Sequence, residues 1–205
     1  MKPNRCHNLT KQQARLETVI NPYRKFKHSQ LPSNKEYWTL CNTQGLDDIH
    51  ELGQLVNSNL ITQSQFHGVD SNPLIIRDNK TNLPIPNWYT GYFKEVFFDA
   101  LDDKHNPGLI YFDTTSMARI ALKESFSIMQ KISDCNIDDV MLVVNFISKN
   151  AYGGNTDELS TVLEKIRDSN AWRILYENTD WKLIPTVISY KSGRTIMTNL
   201  IFVKP

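Results

Sequence analysis

The stretch EYWTLCNTQGLDDIHELGQL, residues 36–55, has the order of residues with which a nucleotide-binding fold often begins. A short apolar strand is followed by a polar turn with one glycine, Gly45, and then by an amphipathic helix. A glycine lets the backbone approach a ligand closely, and the N-terminus of the next helix can face an anionic group. Such turns usually carry two or three glycines. The stretch therefore predicts either a divergent cofactor loop or an ordinary strand-turn-helix.

Strand and helix patterns alternate from Glu36 onwards. The sequence predicts strands at 37–41, 65–70, 88–90, 108–113 and 140–147, and helices at 49–58, 73–79, 92–101, 116–132 and 156–168. The turn KSGR then joins two further strands, 181–190 and 195–203, as an antiparallel hairpin. This order predicts an α/β fold, a doubly wound and mostly parallel seven-stranded sheet with a C-terminal antiparallel hairpin.

Ligands of open α/β sheets bind where the carboxyl ends of the strands meet. The candidate stretches at this edge are residues 41–47, 70–72, 90–93, 113–117 and 147–154. The chain has no phosphate-binding loop with Lys-Ser/Thr and no nucleophile elbow. Its five histidines are dispersed without metal-ligand spacing, so no metal site is predicted, and we expect His50 and His67 to be structural.

The order of elements in residues 36–205 resembles that of the class I S-adenosylmethionine (SAM) dependent methyltransferases. In that family a seven-stranded sheet ends in an antiparallel hairpin. Here the hairpin is WKLIPTVISYKSGRTIMTNLIFVKP, whereas nicotinamide-binding domains end in parallel strands. The resemblance rests on this order more than on any one motif, and it implies SAM as the cofactor.

The resemblance implies that LCNTQGLDD is the loop that holds the methionine part of the cofactor. Its candidate residues are Cys41, Asn42 and Gly45, although the usual run of glycines is missing. FHGVDSN matches the second motif, in which Asp70, with Ser71 beside it, accepts both ribose hydroxyls. The structural alternatives are a plain loop for the first stretch and, for Asp70, a cap on the helix that follows.

The third motif of the family contacts the adenine, and NWYTGYF stands in its place. Gly91 permits close approach of the backbone, and Tyr92 or Phe93 is the candidate to pack on the base. The alternative is that these aromatic residues belong to the core.

YFDTTSM stands where nucleic-acid amino-methyltransferases carry Asp/Asn-Pro-Pro-aromatic. Asp113 is in place, but Thr114, Thr115 and Ser116 replace the prolines and the aromatic residue. This departure argues against methylation of a base amine and leaves other methyl transfer open. As catalytic residues, Asp113 would accept a proton and the three hydroxyls would orient a polar substrate. The alternative is that the hydroxyls cap the next helix.

Charge is distributed unevenly along the chain. Residues 1–35 contain eight basic residues and one acidic residue, a net charge of +7, whereas residues 36–205 carry −6. We therefore predict a basic N-terminal arm, 1–35, on a methyltransferase-like domain, 36–205. The cluster YRKFKH interleaves aromatic rings with Arg24, Lys25 and Lys27, a mixture suited to nucleic acid. A solvated tail is the alternative.

Together these patterns predict a SAM-dependent methyltransferase that acts on nucleic acid. The alternative is a catalytically inactive methyltransferase-like subunit that binds nucleic acid or a protein partner. The sparse glycines and YFDTTSM favour this alternative, whereas the Gly-Val-Asp sequence and the polar residues 113–116 favour activity. Three scattered cysteines, no apolar run of ~18 residues and no signal-peptide core lead us to expect a cytoplasmic protein without membrane contact.

Overall fold

The computed structural model describes residues 9–83, 85, 87–150, 164, 166–192 and 195–205, without the side chains of 115, 149, 150, 185–187, 191, 192 and 195. The strands are β1 Glu36–Leu40, β2 Phe66–Asp70, β3 Trp88–Thr90, β4 Pro107–Met117, β5 Val140–Asn150, β6 Lys182–Ser192 and β7 Thr195–Lys204. The α-helices are α1 Leu9–Arg15, α2 Asn21–Phe26, α3 Glu51–Asn57, α4 Pro73–Asn82, α5 Phe93–Asp102, α6 Ala118–Asp134 and α7 Asn170–Asn178. A π-helical segment, Leu16–Ile20, joins α1 to α2, and a 3-10 turn, Gln63–Gln65, precedes β2.

The seven described strands form one sheet in the order β3-β2-β1-β4-β5-β7-β6. Strands β1 to β5 are parallel, and β7 lies antiparallel between β5 and β6. The order reverses between β1 and β4, which makes their carboxyl ends the expected ligand-binding edge. The predicted fold class is confirmed.

Both faces of the sheet are covered by helices. Tyr37 and Trp38 are adjacent in β1 and fully buried, and because side chains alternate along a strand they enter opposite faces. Trp38 packs in a cluster with residues of α5, α6 and α7. Tyr37 packs in a second cluster with residues of α3, α4 and the N-terminal helical segment. This double coverage explains why the central strands are almost continuously apolar.

The N-terminal residues do not form a separate arm in the part of the chain that the structure describes. Val19, Ile20, Tyr23 and Leu31 are buried in the same core cluster as β1. The side chains on both sides of residue 35, where the sequence predicts that the arm ends, therefore pack in one core cluster.

The N-terminal helical segment also runs past the position where the sequence predicts that it ends. The apolar residues of 10–20 predict a short helix that Asn21-Pro22 would end, but the segment continues to Phe26. The Asn21 N–H bonds the Leu16 carbonyl, and this wider π turn leaves room for Pro22 in the next turn.

A further difference concerns the second half of the chain. Helix α7 is not predicted from the sequence, although the Ser169 side chain accepts a hydrogen bond from the Trp172 N–H at its start. Trp172 and Leu175 are its buried residues, too few to give a clear helical period. The predicted helix at 156–168 lies mostly outside the described residues. No helix among those described is both long enough and apolar enough to span a lipid bilayer.

Candidate functional site

Parallel pairing brings the ends of β1, β2 and β3 together. Leu40 lies opposite Val69, and Asp70 lies opposite Thr90. The Cys41 N–H donates to the Val69 carbonyl at 2.8 Å, and the Gly91 N–H donates to the Asp70 carbonyl at 3.1 Å. The three stretches predicted to bind the cofactor are therefore neighbours at one edge of the sheet.

Asp70 is half-buried and has one carboxylate oxygen available. Its Oδ1 accepts from the Asn72 N–H at 2.8 Å, which fixes the turn after β2. The cap of α4 is Asn72, whose Oδ1 accepts from the Leu74 N–H at 3.0 Å, so Asp70 is not that cap. Asp70 Oδ2 has no hydrogen-bond partner among the described residues. Burial raises the pKa of Asp70, and the neighbouring Ser71 is exposed.

Side chains from the adjoining helices hold the loop after β1 in place. Asn79 of α4 is fully buried, donates to the Asn42 carbonyl at 3.0 Å and accepts from the Gln44 N–H at 2.8 Å. Gln44 in turn accepts from the Leu52 N–H of α3 at 3.1 Å. Sequence reasoning missed Asn79, because only the folded chain brings α4 against this loop. The loop is therefore shaped by amide side chains rather than by a run of glycines.

The backbone at Gly45 lies close to a side chain of the protein, the His50 ring. A Cβ added at Gly45 would lie 2.6 Å from His50 Nδ1, and that nitrogen is 2.5 Å from Asp47 Oδ1. A second glycine, Gly53 of α3, meets the same loop, and its added Cβ would lie 2.1 Å from the Asp47 carbonyl oxygen. The His50 ring thus fills the space that a side chain at Gly45 would take.

Cys41 and the residues after β3 differ strongly in exposure. Cys41 is buried, and burial, with Asp70 as a lesser cause, raises the pKa of its thiol, so it stays protonated. Gly91 has a φ of +152°, a conformation that favours glycine. Tyr92 is 71% exposed, so its ring is available to pack on a flat ligand and is not a core residue.

A buried charged network lies beneath the loop. Tyr37 donates to Glu51 Oε1 at 2.6 Å, and burial raises the pKa of Glu51 while Arg15 opposes that rise. Arg15, itself buried, donates to Gln54 Oε1 and to the Ile49 carbonyl, each at 2.8 Å. One of the basic residues assigned to the arm is therefore part of the domain core.

The ends of β4 and β5 hold a second polar group of side chains, centred on Asp113. Asn145 lies opposite Asp113 in β5, and its amide donates to Asp113 Oδ1 at 2.5 Å. The Lys11 ammonium of α1 lies 3.3 Å from Asp113 Oδ2. Both oxygens of the predicted proton acceptor are thus engaged by the protein.

Two tyrosines complete the group around Asn145. The amide nitrogen of Asn145 also lies 2.9 Å from the Tyr190 hydroxyl and 3.4 Å from the Tyr111 hydroxyl. Asn145 is fully buried, and its Oδ1 has no partner among the described residues. Burial raises the pKa of both tyrosines, and Asp113 adds to the rise, so both hydroxyls remain protonated.

The three hydroxyl residues after Asp113 belong to β4, and neither Thr114 nor Ser116 caps the next helix. The Ser116 N–H donates to Thr114 Oγ1 at 3.0 Å, and Thr114 is buried. Helix α6 begins at Ala118 with Met117 in the cap position and no side-chain cap. The capping alternative is therefore wrong for Thr114 and Ser116. The side chain of Thr115 lies outside the described residues, as do residues 151–154 of the last candidate stretch.

Some of the basic side chains in α2 and at its C-terminus contact the rest of the domain. Arg24 donates to the Ser58 carbonyl, and Lys27 donates to the Lys204 carbonyl and lies 3.2 Å from Asp139. Lys25 lies with its ammonium 5.1 Å from the ring of Phe26. Two of the three residues predicted to contact nucleic acid thus also tie this segment to the domain.

Comparison with known proteins supports the fold and nothing finer. No protein-family model matches the chain, and no curated protein matches its sequence. The fibrillarin/Nop5p complex matches with a TM-score of 0.55 and 10% identity over 95% of this chain and 82% of that one. Trm5b from Pyrococcus abyssi matches with 0.50 and 14% over 92% of this chain and 48% of that one, so the chain spans about half of Trm5b.

A third solved structure matches over nearly the full length of both chains. It is the N-methyltransferase NodS from Bradyrhizobium japonicum WM9, with a TM-score of 0.50 and 10% identity over 97% of this chain and 98% of that one. These likenesses and the strand order give this chain the class I methyltransferase fold that its sequence resembles.

Proposed function

We propose that this protein binds SAM at the ends of β1, β2 and β3 and transfers its methyl group to nucleic acid. The observation that carries the proposal is the available oxygen of Asp70 at the ligand-binding edge of this fold. The Asn72 N–H bonds one carboxylate oxygen of Asp70 and so prevents the carboxylate from rotating. The direction of the second oxygen is therefore set by the turn. A carboxylate in this position suits the paired hydroxyls of a ribose.

The neighbouring residues would hold the rest of the cofactor. The exposed Tyr92 ring offers a surface for the adenine, and Gly91 leaves space beside it. The loop 41–50 would hold the methionine part, with the His50 ring moving away from Gly45 as the ligand enters. SAM supplies an activated methyl group on a sulfonium, so the protein must mainly align the acceptor and take up a proton.

Asp113 is the proton acceptor in this proposal. Asn145 holds one of its oxygens, and a substrate group would replace the Lys11 ammonium at the other. Thr114 supports the strand end through its bond to the Ser116 N–H, and Ser116 is the hydroxyl nearer to solvent.

Nucleic acid is proposed as the acceptor because basic residues lie at both ends of the N-terminal helical segment. Lys11 is at Asp113, whereas Lys27 contacts the start of β5 and the end of β7, at the opposite edge of the sheet. Sixteen residues of helix span about 24 Å. A strand of nucleic acid is long enough to follow that distance, and the exposed Arg24 and Lys25 would meet its phosphates.

The second candidate function is an inactive subunit of the same fold. Two observations favour it: the His50 ring fills the approach to Gly45, and Asp113 has both oxygens engaged. In such a protein the basic residues would bind nucleic acid, or another surface a protein, without methyl transfer.

Calorimetric titration with SAM and with S-adenosylhomocysteine tests the proposal. We expect micromolar binding that falls about 100-fold in Asp70→Ala, since a hydrogen bond to a charged group contributes about 1.5–3 kcal/mol. Asp78→Ala is the matched control, because Asp78 is an exposed acid on the adjoining helix α4 and should leave binding unchanged.

Two results would overturn the cofactor site: no binding of either ligand, or equal binding by the Asp70→Ala variant. If binding holds, transfer of a labelled methyl group to DNA, RNA and protein separates the two functions. Transfer that stops in Asp113→Asn supports the enzyme. Cofactor binding without any transfer supports the inactive subunit.

A further inference from the structure

Three potential metal ligands meet at the amino-terminal edge of the sheet, opposite the proposed cofactor site. Glu36 begins β1, His67 is the second residue of β2, and His105 lies just before β4. His105 Nδ1 is 2.8 Å from Glu36 Oε1, and His67 Nε2 is 3.9 Å from the same oxygen. The three ligand atoms lie within 4.8 Å of one another. They converge on a common point, although 69 residues separate Glu36 from His105.

We propose that Glu36, His67 and His105 form a binding site for a divalent first-row transition metal ion, with Zn²⁺ the best fit. Zn²⁺ takes imidazole nitrogen and carboxylate oxygen at about 2.0–2.2 Å, so tetrahedral ligand atoms stand about 3.4 Å apart. The three atoms need small side-chain rotations to reach that spacing. Two imidazoles favour Zn²⁺ and its neighbours over Mg²⁺ or Ca²⁺, which prefer oxygen ligands.

A second layer of side chains orients two of the three ligands. The Tyr89 hydroxyl lies 3.2 Å from His67 Nδ1, which leaves His67 Nε2 directed at the cluster. The Trp38 indole donates to Glu36 Oε2 at 2.8 Å, which leaves Oε1 facing the two histidines. The His67 ring also stacks on Trp38 with centroids 4.5 Å apart. Such outer contacts fix ring orientation and ligand geometry in metal sites.

The accessibility of the cluster also suits a cation. The His105 side chain is 30% exposed and that of Glu36 is 21% exposed, which gives an ion a route from solvent. With three protein ligands, the fourth position of the ion is left for water.

The test uses the tag-free chain, stripped with a chelator and then titrated with Zn²⁺ by calorimetry and with Co²⁺ by visible absorption. We expect a strong site with tetrahedral Co²⁺ absorption and a Tm that rises with added Zn²⁺. His105→Ala should weaken binding by at least about 10-fold, and Tyr89→Phe by about 10-fold or more through the outer contact. His28→Ala is the control, since His28 is an exposed histidine paired with Asp139 outside the cluster.

Failure of the wild-type chain to bind either ion overturns the site, as does equal binding in His105→Ala and wild type. If His105→Ala is not folded by circular dichroism, Glu36→Gln replaces it, because glutamine keeps the shape of the side chain and an acceptor for Trp38. The titrations contain no SAM, so their outcome is independent of the proposed methyl transfer.

Discussion

At the ends of β1 to β3, Asp70 keeps one carboxylate oxygen without a partner among the described residues, and Tyr92 after β3 is exposed. At the ends of β4 and β5, Asp113 has both oxygens engaged, one by Asn145 and one by Lys11. The β1–β3 half of the edge is thus arranged to receive a ligand, whereas the β4–β5 half is occupied by the protein's own N-terminal helix.

This difference separates two properties that are often treated as one. In the proposed function, cofactor binding depends on the β1–β3 half, and turnover depends on whether the β4–β5 half can open. Variants confined to one half should therefore change one property and leave the other.

Arg15→Met should have the largest effect, because it removes the buried cation that offsets Glu51 beneath the loop of the β1–β3 half. We expect a loss of about 3–5 kcal/mol in the free energy of unfolding, typical of a buried charge left without its partner. Urea denaturation measures it. Lys25→Met, which removes an exposed cation, should change stability by less than about 0.5 kcal/mol. Equal stability of both variants would contradict the network.

Asn145→Ala should destabilise the β4–β5 half and spare cofactor binding. It removes the amide that bonds Asp113 and Tyr190, and we expect a loss of about 2–3 kcal/mol in the free energy of unfolding. S-adenosylhomocysteine affinity, measured by calorimetry at a temperature where the variant is folded, should stay within about 3-fold of wild type. A large loss of affinity would mean that the two halves are coupled.

Lys11→Met should free one oxygen of Asp113 at little cost. The ion pair is partly exposed, so the free energy of unfolding should fall by no more than about 1 kcal/mol. Cofactor affinity should be unchanged. Methyl transfer should become faster if Lys11 competes with the substrate, and slower transfer would show that Lys11 helps to hold it.

Asp70→Asn should give the smallest change in stability and one that depends on pH. Burial raises the pKa of Asp70, so the folded state holds a proton there more tightly than the unfolded state does. Ionised Asp70 therefore costs stability once the pH rises above its unfolded pKa of about 3.9. The variant should be more stable than wild type by less than about 1 kcal/mol at pH 7. This advantage should vanish below about pH 4 in denaturation curves. An advantage that persists at pH 3 would refute the explanation.

Local patterns predicted most of the fold. The apolar runs of β4 and β5 and the hairpin turn before β7 identify strands, and the alternation of elements then fixes a parallel sheet. The predicted strand at β4 is too short because Thr114, Thr115 and Ser116 carry no apolar period, yet β4 continues through them to Met117 across an irregularity in its pairing with β5.

The site was predictable only as far as the ends of the strands. Asp70 and Asp113 follow directly from their positions after apolar runs. Lys11 does not, because 102 residues separate it from Asp113, and only the packing of α1 brings the two together. The His105–Glu36 pair was missed for the same reason. Contacts between residues so far apart in the sequence depend on tertiary packing, which a local sequence pattern does not predict.

The strand order carries a consequence for how the chain assembles. Strand β6 pairs with β7 but not with β5, and β7 is made after β6 and fills the place between them. During synthesis, β6 therefore has no edge to join until Lys204 has emerged, and the edge of β5 stays open meanwhile. The Tyr190 hydroxyl thus reaches Asn145 only after the hairpin has paired with β5, although β4 and β5 can already place Asn145 at Asp113.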